Sequence, residues 1–170
     1  MHNRSKILKM GIPVSLSGQF QMQGNQALAG LQAWAEDVNL AGGLHFSESD
    51  SPRPVAVIHY DDASTPGQVR LLAQRLILED RVDLMMGPYS SVLAQAAASV
   101  TEQYGKVLWN QGGASDSIYQ RGYRCVVGIL TPASEYLSGL PQLLRESQPE
   151  ANSLAIVRAA TGSFPTMVSS

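Results

Sequence analysis

Short apolar runs alternate along the chain with segments whose apolar residues recur at helical spacing. Residues 7–14 form a mostly apolar run that is typical of a buried strand. Apolar residues then fall on one helical face from Ala27 to Val38, and Gly42 and Gly43 provide a left-handed end for this helix. Similar apolar runs predict further strands at residues 55–60, 82–86, 106–110, 124–130 and 153–157.

Two later segments carry clear signals for the start of a helix. Thr65 is a favourable N-cap, Pro66 suits the first helical position, and Gln68 completes a capping box. Ser90 or Ser91 caps the following helix. These signals predict that a helix separates the second strand from the third, and another separates the third from the fourth.

The alternation of strands and helices predicts an α/β fold built on one doubly wound parallel sheet. A last helix over residues 133–146 continues this alternation. Right-handed crossovers place helices on both faces of such a sheet. The ligand site is then expected beyond the carboxyl ends of the strands, where the strand order reverses.

Three segments rich in serine and glycine are predicted to meet at that edge. They are residues 15–24, 87–91 and 110–115. A helix that begins near Ser90 and Ser91 offers unpaired N–H groups and the positive end of its dipole, which suits a small anion. Gly112 and Gly113 let a ligand approach the backbone closely. In the alternative interpretation the serines only cap the helix and the glycines only turn the chain.

Composition excludes several classes of function. The 170 residues carry a net charge of −2 and no cluster of lysine or arginine, so no nucleic-acid partner is expected. No apolar run reaches the length of a membrane span, and the single Cys125 cannot form an internal disulfide. The polar start of the sequence contains no signal peptide; we therefore expect either that the signal was removed or that the protein is cytoplasmic.

Motifs for cofactor and enzyme chemistry are weak in this sequence. It lacks the glycine patterns of dinucleotide and phosphate loops and the Gly-x-Ser-x-Gly of a nucleophile elbow. His59, Asp61 and Asp62 at a strand end suggest a metal site or a phosphoryl acceptor, but adjacent carboxylates more often form a turn and a cap. We therefore predict no cofactor, no metal site and no catalytic residues.

Several motifs occur together in the order and spacing of a known family. They are Gly18 with Gly24, Asn39-x-Ala41-Gly42-Gly43, Asp61-Asp62-Ala63-Ser64 with Pro66, Gly87-x-x-Ser90-Ser91 and Gln120-Arg121-Gly122-Tyr123-Arg124. This pattern resembles the type I periplasmic binding proteins, and in particular the branched-chain amino-acid (Leu/Ile/Val)-binding proteins of ABC transporters. The resemblance is strong to about residue 130 and weak after it.

The resemblance implies a two-lobed clamp. Residues 1–130 would form lobe 1, which docks the ligand, and residues 131–170 would begin an incomplete lobe 2. Family members are about twice this length, so we expect the chain to be an N-terminal fragment. The implied function is that of an extracytoplasmic, or periplasmic, solute-binding protein. It would hand a small polar ligand, amino-acid-like, to a membrane permease and would not be an enzyme.

The resemblance also implies binding residues. Ser91 matches the serine that holds the ligand carboxylate, and Gly112 matches a backbone carbonyl that accepts from the ligand ammonium. Ala114 replaces a threonine, for which Ser115 could substitute, and Gln23 lies where a tryptophan can cover the site. Phe164 is the nearest aromatic residue in lobe 2. The predicted ligand-binding set is Ser90, Ser91, Gly112, Gly113, Ala114, Ser115, Gln23 and Phe164.

Two other classes of function remain open at this stage. The same clamp can serve as a ligand-sensing module that regulates a kinase, a cyclase or an operon. A free-standing flavodoxin-like signalling or enzyme domain is the other alternative, with Asp61 or Asp62 as its phosphoryl acceptor.

Overall fold

One parallel sheet organises the protein. The computed structural model describes residues 7–47, 51–155 and 157. The strands are β1 (Leu8–Val14), β2 (Val55–Asp61), β3 (Leu84–Met86), β4 (Leu108–Asn110) and β5 (Val126–Gly128). They lie in the order β2-β1-β3-β4-β5, and every pair is parallel. The predicted doubly wound α/β fold is confirmed, although β3, β4 and β5 are each shorter than their apolar runs.

Helices cover both faces of this sheet. They are α1 (Gln21–Leu40), α2 (Pro66–Leu78), α3 (Ser91–Gln103), α4 (Asp116–Tyr119) and α5 (Leu140–Ser147), with a 3₁₀ turn at Ala133–Glu135. Helix α1 packs on β1 and β2 around Leu8, Ile12 and Leu28. Helices α2 and α3 pack on the opposite face around Met85 and Leu108, which are fully buried.

The helix starts follow the local signals. The Thr65 hydroxyl accepts a hydrogen bond from the Gln68 amide at 3.4 Å, and Pro66 occupies the first position of α2, as predicted. Ser90 is the N-cap of α3. Helix α1 begins at Gln21, so Gln23 and Gly24 lie in a helix and not in the loop expected after the first strand.

Two predictions for the last forty residues are wrong. The helix expected over residues 133–146 is divided into the 3₁₀ turn and α5, because Gly139 and Pro141 interrupt it. Residues 153–155 and 157 belong to no strand. A strand needs a neighbour for its backbone N–H and C=O groups, and no described strand runs beside this segment. None of the helices within the described residues is long and apolar enough to span a bilayer.

Candidate functional site

The loops that follow the strands meet at the carboxyl edge of the sheet. The strand order reverses between β1 and β3, so the loops after these two strands flank the switch point. Phe20 and Tyr89, one from each loop, form an edge-to-face pair with ring centroids 5.6 Å apart and planes at 64°. This aromatic contact joins the two loops directly over the reversal.

Two aspartates tie the loop after β2 to the loop after β1. The Asp61 carboxylate accepts hydrogen bonds from the amides of Leu16 and Ser17, at 2.9 and 3.1 Å, and from the Ser17 hydroxyl at 2.7 Å. Asp62 accepts from the Ser15 hydroxyl at 2.6 Å and is fully buried. The Asp61 and Asp62 carboxylates also accept from the amides of Ala63 and Ser64, so the pair forms a turn, which supports a structural role for these residues, whereas the cap of α2 is Thr65.

The two carboxyl groups have opposite pKa shifts. Burial raises the pKa of Asp62 above its ordinary value, against hydrogen bonds from Ser15 and Ser64 that lower it. Slight burial also raises the pKa of Asp61, but its hydrogen bonds outweigh this effect and the net pKa is lowered. The second oxygen of Asp62 is buried and has no partner. A group enclosed in this way is not accessible as a phosphoryl acceptor.

The start of α3 holds the two candidate serines. Ser90 has a φ of +80°, a left-handed conformation that is unusual for a residue with a side chain, and its hydroxyl accepts from the Leu93 amide at 3.4 Å. The Ser91 hydroxyl accepts a hydrogen bond from the Ser115 amide at 3.1 Å. Ser91 therefore connects the start of α3 to the loop after β4.

Close backbone approach fixes the position of that loop. The Ser90 amide donates to the Gly112 carbonyl at 3.0 Å. A Cβ on Gly112 would overlap the Pro88 carbonyl oxygen and the Tyr89 Cα, and a Cβ on Gly113 would lie 2.5 Å from the Ala94 Cβ. Because neither position has room for a side chain, the two glycines are required by this packing.

Asn110 is a structural residue of the site that sequence reasoning missed. It ends β4 and is fully buried. Its amide nitrogen donates to the Gly113 carbonyl at 2.6 Å and to the Tyr119 hydroxyl at 2.9 Å, and its oxygen accepts from the Gly113 amide at 2.9 Å. An asparagine that closes an apolar strand is the signal that could have identified it.

The end of the loop after β4 is hydrogen-bonded to the segment that follows β5. Ala114 offers its carbonyl to the Ala133 amide at 2.7 Å. Ser134 donates its hydroxyl to Asp116 at 2.6 Å, and its amide donates to the same carboxylate at 3.2 Å. The hydroxyl bond is the main reason that the pKa of Asp116 is lowered.

The structure brings most of the predicted binding residues together. Ser90, Ser91, Gly112, Gly113, Ala114 and Ser115 share the two hydrogen-bonded loops after β3 and β4. Gln23 lies in the first turn of α1, where its side-chain oxygen is buried without a partner. Phe164 lies outside the described residues.

The arrangement suits a small anion better than a metal ion. The thirteen-residue helix α3 points its amino end toward the loop that carries Gly112 and Ser115, so N–H groups and the positive end of the dipole meet at this edge. In the part of the chain that the structure describes, no group of three or more His, Cys, Asp or Glu residues is placed to hold a metal ion.

A doubly wound sheet with its candidate site at the strand-order reversal defines a ligand-binding class of α/β proteins. A model of the periplasmic binding protein family matches residues 7–165. The chain therefore belongs to the periplasmic binding protein family.

Relatives in Brucella abortus (strain 2308) agree with this assignment. The chain is 27% identical to the Leu/Ile/Val-binding protein homolog 7 over 139 residues. This match covers 82% of this chain and 33% of the relative. It is 30% identical over 115 residues to the Leu/Ile/Val-binding protein homolog 8, which covers 68% of this chain and 27% of that relative. The chain thus spans a third or less of the length of these relatives.

Solved structures share the fold. The solute-binding protein of an ABC transporter from Rhodopseudomonas palustris BisB5, in complex with 3,4-dihydroxybenzoic acid, has a TM-score of 0.78 at 18% identity, over 96% of this chain and 42% of that chain. A second solved structure is the branched-chain amino acid transporter substrate-binding protein of Streptococcus pneumoniae in complex with isoleucine. Its TM-score is 0.72 at 20% identity, and the match covers 84% of this chain and 39% of that chain.

Proposed function

We propose that this chain forms the ligand-docking lobe of an extracytoplasmic solute-binding protein. The protein would capture a small polar ligand, an amino acid or a related amide or carboxylate, and deliver it to the permease of an ABC transporter. The observation that carries the proposal is the contact between Ser91, at the start of α3, and Ser115, in the loop after β4. This contact places a helix amino end, two hydroxyl groups and a glycine loop together beside the switch point.

A carboxylate is the chemical group that we expect at this site. Isoleucine and 3,4-dihydroxybenzoic acid, the ligands of two proteins with the same fold, both carry one. The helix end and the Ser91 hydroxyl suit a carboxylate. The Gly112 carbonyl accepts from Ser90 and keeps a second lone pair for a ligand ammonium group.

We further propose that residues 1–130 are lobe 1 and that residues 131–170 begin lobe 2. The hydrogen bonds from Ala133 to the loop after β4 and from Ser134 to Asp116 at the start of α4 support a crossover at this point, since they fix the segment that leaves the sheet. No catalytic role is proposed for any residue.

The 170-residue chain should bind such a ligand weakly. The described residues supply one wall of a cleft, and two hydrogen bonds to a charged group contribute about 3–6 kcal/mol. An exposed helix end adds about 0.3–1 kcal/mol. Lost translation and rotation cost about 4 kcal/mol or more, so the expected dissociation constant is near or above roughly 1 mM.

A ligand titration followed by amide NMR tests the proposal at this affinity. Leucine, isoleucine and 4-hydroxybenzoate would each be added to the ¹⁵N-labelled chain up to about 20 mM, which partly occupies a site with a millimolar dissociation constant. We expect at least one of them to shift the amides of Ser91, Val92, Gly113 and Ser115. Leucinamide, which lacks the carboxylate, is the matched control and should leave these amides unchanged. If no ligand shifts them, the proposed site is wrong; if leucinamide shifts them equally, the site does not recognise the carboxylate.

A further inference from the structure

The loop after β4 is hydrogen-bonded on two sides. On one side, the Ser115 amide donates to the Ser91 hydroxyl at the start of α3, at 3.1 Å. On the other side, the Ala114 carbonyl accepts from the Ala133 amide at 2.7 Å. Adjacent residues of one short loop therefore bond the candidate ligand site and the segment that follows β5.

Asp116, the first residue of α4, strengthens the contact with that segment. One oxygen of its carboxylate accepts from the Ser134 hydroxyl at 2.6 Å, and the other accepts from the Ser134 amide at 3.2 Å. Hydrogen bonds to a charged acceptor are stronger than neutral ones, and the use of both oxygens fixes the orientation of the side chain. Ala133, next to Ser134, is fully buried, so the segment is packed against the fold at this point.

The base of the loop is held to the end of β5 as well. The Asn110 carbonyl accepts from the Ile129 amide at 3.2 Å, and the Asn110 side chain bonds both the amide and the carbonyl of Gly113. The loop is thus bonded at its base, at its end and at the residue that follows it. A displacement on one side must be accommodated on the other.

We propose that the loop after β4 couples the candidate ligand site to the segment after β5, with Asp116 as the positioning residue of this link. Asp116 acts through its neighbour, because its bonds to Ser134 keep Ser115 in place beside Ser91. The inference rests on the proposed function, which takes Ser91 and Ser115 as ligand contacts. Coupling between two places is reciprocal, so a change at Ser134 must reach Ser115, and a change at Ser91 must reach Ala133.

Amide hydrogen exchange of the ¹⁵N-labelled 170-residue chain, without ligand, measures the first direction. Asp116→Ala should speed the exchange of the Ser115 amide roughly fivefold or more, although Ser91 still provides its acceptor. Ser134→Ala removes one of the two bonds from the opposite side and should speed the same amide about twofold. Since both changes break one contact, the double variant should exchange no faster than Asp116→Ala.

The reverse direction is measured at the Ala133 amide. Ser91→Ala frees the Ser115 amide and should speed the exchange of Ala133 about twofold, because Ala133 bonds the residue before Ser115. Ser99→Ala removes a hydroxyl from the middle of the same helix and should leave the Ala133 rate unchanged. Ser134→Thr keeps the hydroxyl donor and should preserve the parent rate at Ser115.

A core amide separates this link from a general loss of stability. The Met85 amide bonds the Val107 carbonyl at 2.9 Å within the buried sheet, so its exchange reports opening of the whole fold. The proposal is overturned if Ser115 keeps its parent rate in Asp116→Ala, or if Met85 accelerates by the same factor as Ser115. If Asp116→Ala does not fold, Ser134→Ala is judged by the same two criteria.

The exchange experiment distinguishes failure of the link from failure of the proposed function. It contains no ligand, so unchanged exchange at Ser115 removes the link whatever the chain binds. An intact link in a chain whose site amides respond to no ligand would count against the proposed function alone.

Discussion

Asp61 and Asp62 are consecutive residues whose carboxyl groups lie in opposite environments. Asp62 is fully buried and leaves one oxygen without a partner, whereas Asp61 is exposed and accepts several hydrogen bonds. Alternation along the extended end of β2 turns one side chain inward and the next outward. The contributions of Asp61 and Asp62 to the stability of the fold should therefore change with pH in opposite directions.

The substitution Asp62→Asn should remove a loss of stability that develops as pH rises. The pKa of Asp62 is raised in the folded state, so the folded protein binds this proton more strongly than the unfolded chain does. Stability must then fall as pH rises above the ordinary aspartate pKa of about 3.9. The Tm of Asp62→Asn minus the Tm of the parent is therefore expected to grow as pH is raised from about 4, near the ordinary aspartate pKa, towards 7.

Asp61→Asn is the matched control for that experiment. The pKa of Asp61 is lowered in the folded state, so its contribution is present above the ordinary aspartate pKa and is lost as pH falls. The Tm difference for Asp61→Asn should therefore be negative near neutral pH and shrink in acid. Slopes of the same sign for both variants would contradict the assigned environments.

Ser91→Ala should lower both the stability of the protein and its affinity for a carboxylate. The Ser115 amide loses its acceptor, which is expected to cost about 0.5–1.5 kcal/mol of the free energy of unfolding. Binding of a carboxylate should weaken by about 1.5–3 kcal/mol, since a hydrogen bond to a charged group is lost. Urea unfolding measures the first effect, and a large loss of the NMR shifts at about 20 mM ligand reports the second.

Ser99→Ala is the control for Ser91→Ala. The Ser99 hydroxyl donates to the Ala96 carbonyl within the same helix, so its loss should change stability by no more than a few tenths of a kcal/mol. If the two variants have equal stability and bind the carboxylate equally, Ser91 does not have the role assigned to it.

Ser90→Gly should stabilise the protein. Ser90 has φ +80° and ψ +146°, a conformation that costs a residue with a side chain about 1–3 kcal/mol. Glycine removes this cost and loses only a few tenths of a kcal/mol as an N-cap, while its greater freedom in the unfolded state costs about 0.5–1 kcal/mol. We expect a net gain of up to about 2 kcal/mol in the free energy of unfolding, measured with urea.

The same substitution inside α3 provides the comparison. Ser99→Gly should destabilise by about 0.5–1 kcal/mol, because glycine is a poor helix former. Equal destabilisation by the two glycine variants would show that Ser90 does not adopt the left-handed conformation.

Gly24→Ala should be among the most damaging single-methyl additions. A Cβ at Gly24 would overlap the carbonyl group of Ser15, which is backbone and cannot move aside. The expected cost is about 2–4 kcal/mol, measured by thermal or urea unfolding. At Gly67, in the first turn of α2, a Cβ meets nothing within 4 Å. Gly67→Ala should therefore be neutral or stabilise slightly, and similar losses at both positions would refute the close contact.

Local signals explain why much of the fold could be predicted. Thr65, Pro66 and Gln68 specify the start of α2 within four residues, and the structure confirms it. The apolar runs of the first five strands are equally local. The doubly wound arrangement, and the expectation of a site where the strand order reverses, then follow from general rules about parallel sheets.

The predictions that failed depend on the folded surroundings of a segment, which its apolar pattern does not show. Apolar residues at 153–157 are compatible with a strand, but a strand also needs a neighbour, which periodicity cannot show. The sequence analysis included Asn110 only as the first residue of the serine- and glycine-rich segment 110–115. Its role arises from contacts with Gly113 and Tyr119 that exist once the loop has folded. The proposed roles of Ser91 and Gly112 in binding stay predictions.

The central position of β1 also determines how the chain must fold. This strand is the first along the chain, yet it pairs with β2 on one side and with β3 on the other, in a register that places Met10 beside Leu84. The Lys9 amide bonds to the Asp83 carboxylate across 74 positions. During synthesis, β1 therefore leaves the ribosome long before its second neighbour exists. Pairings of such long range are slow to form, and until they do the apolar strand is open to association with other chains.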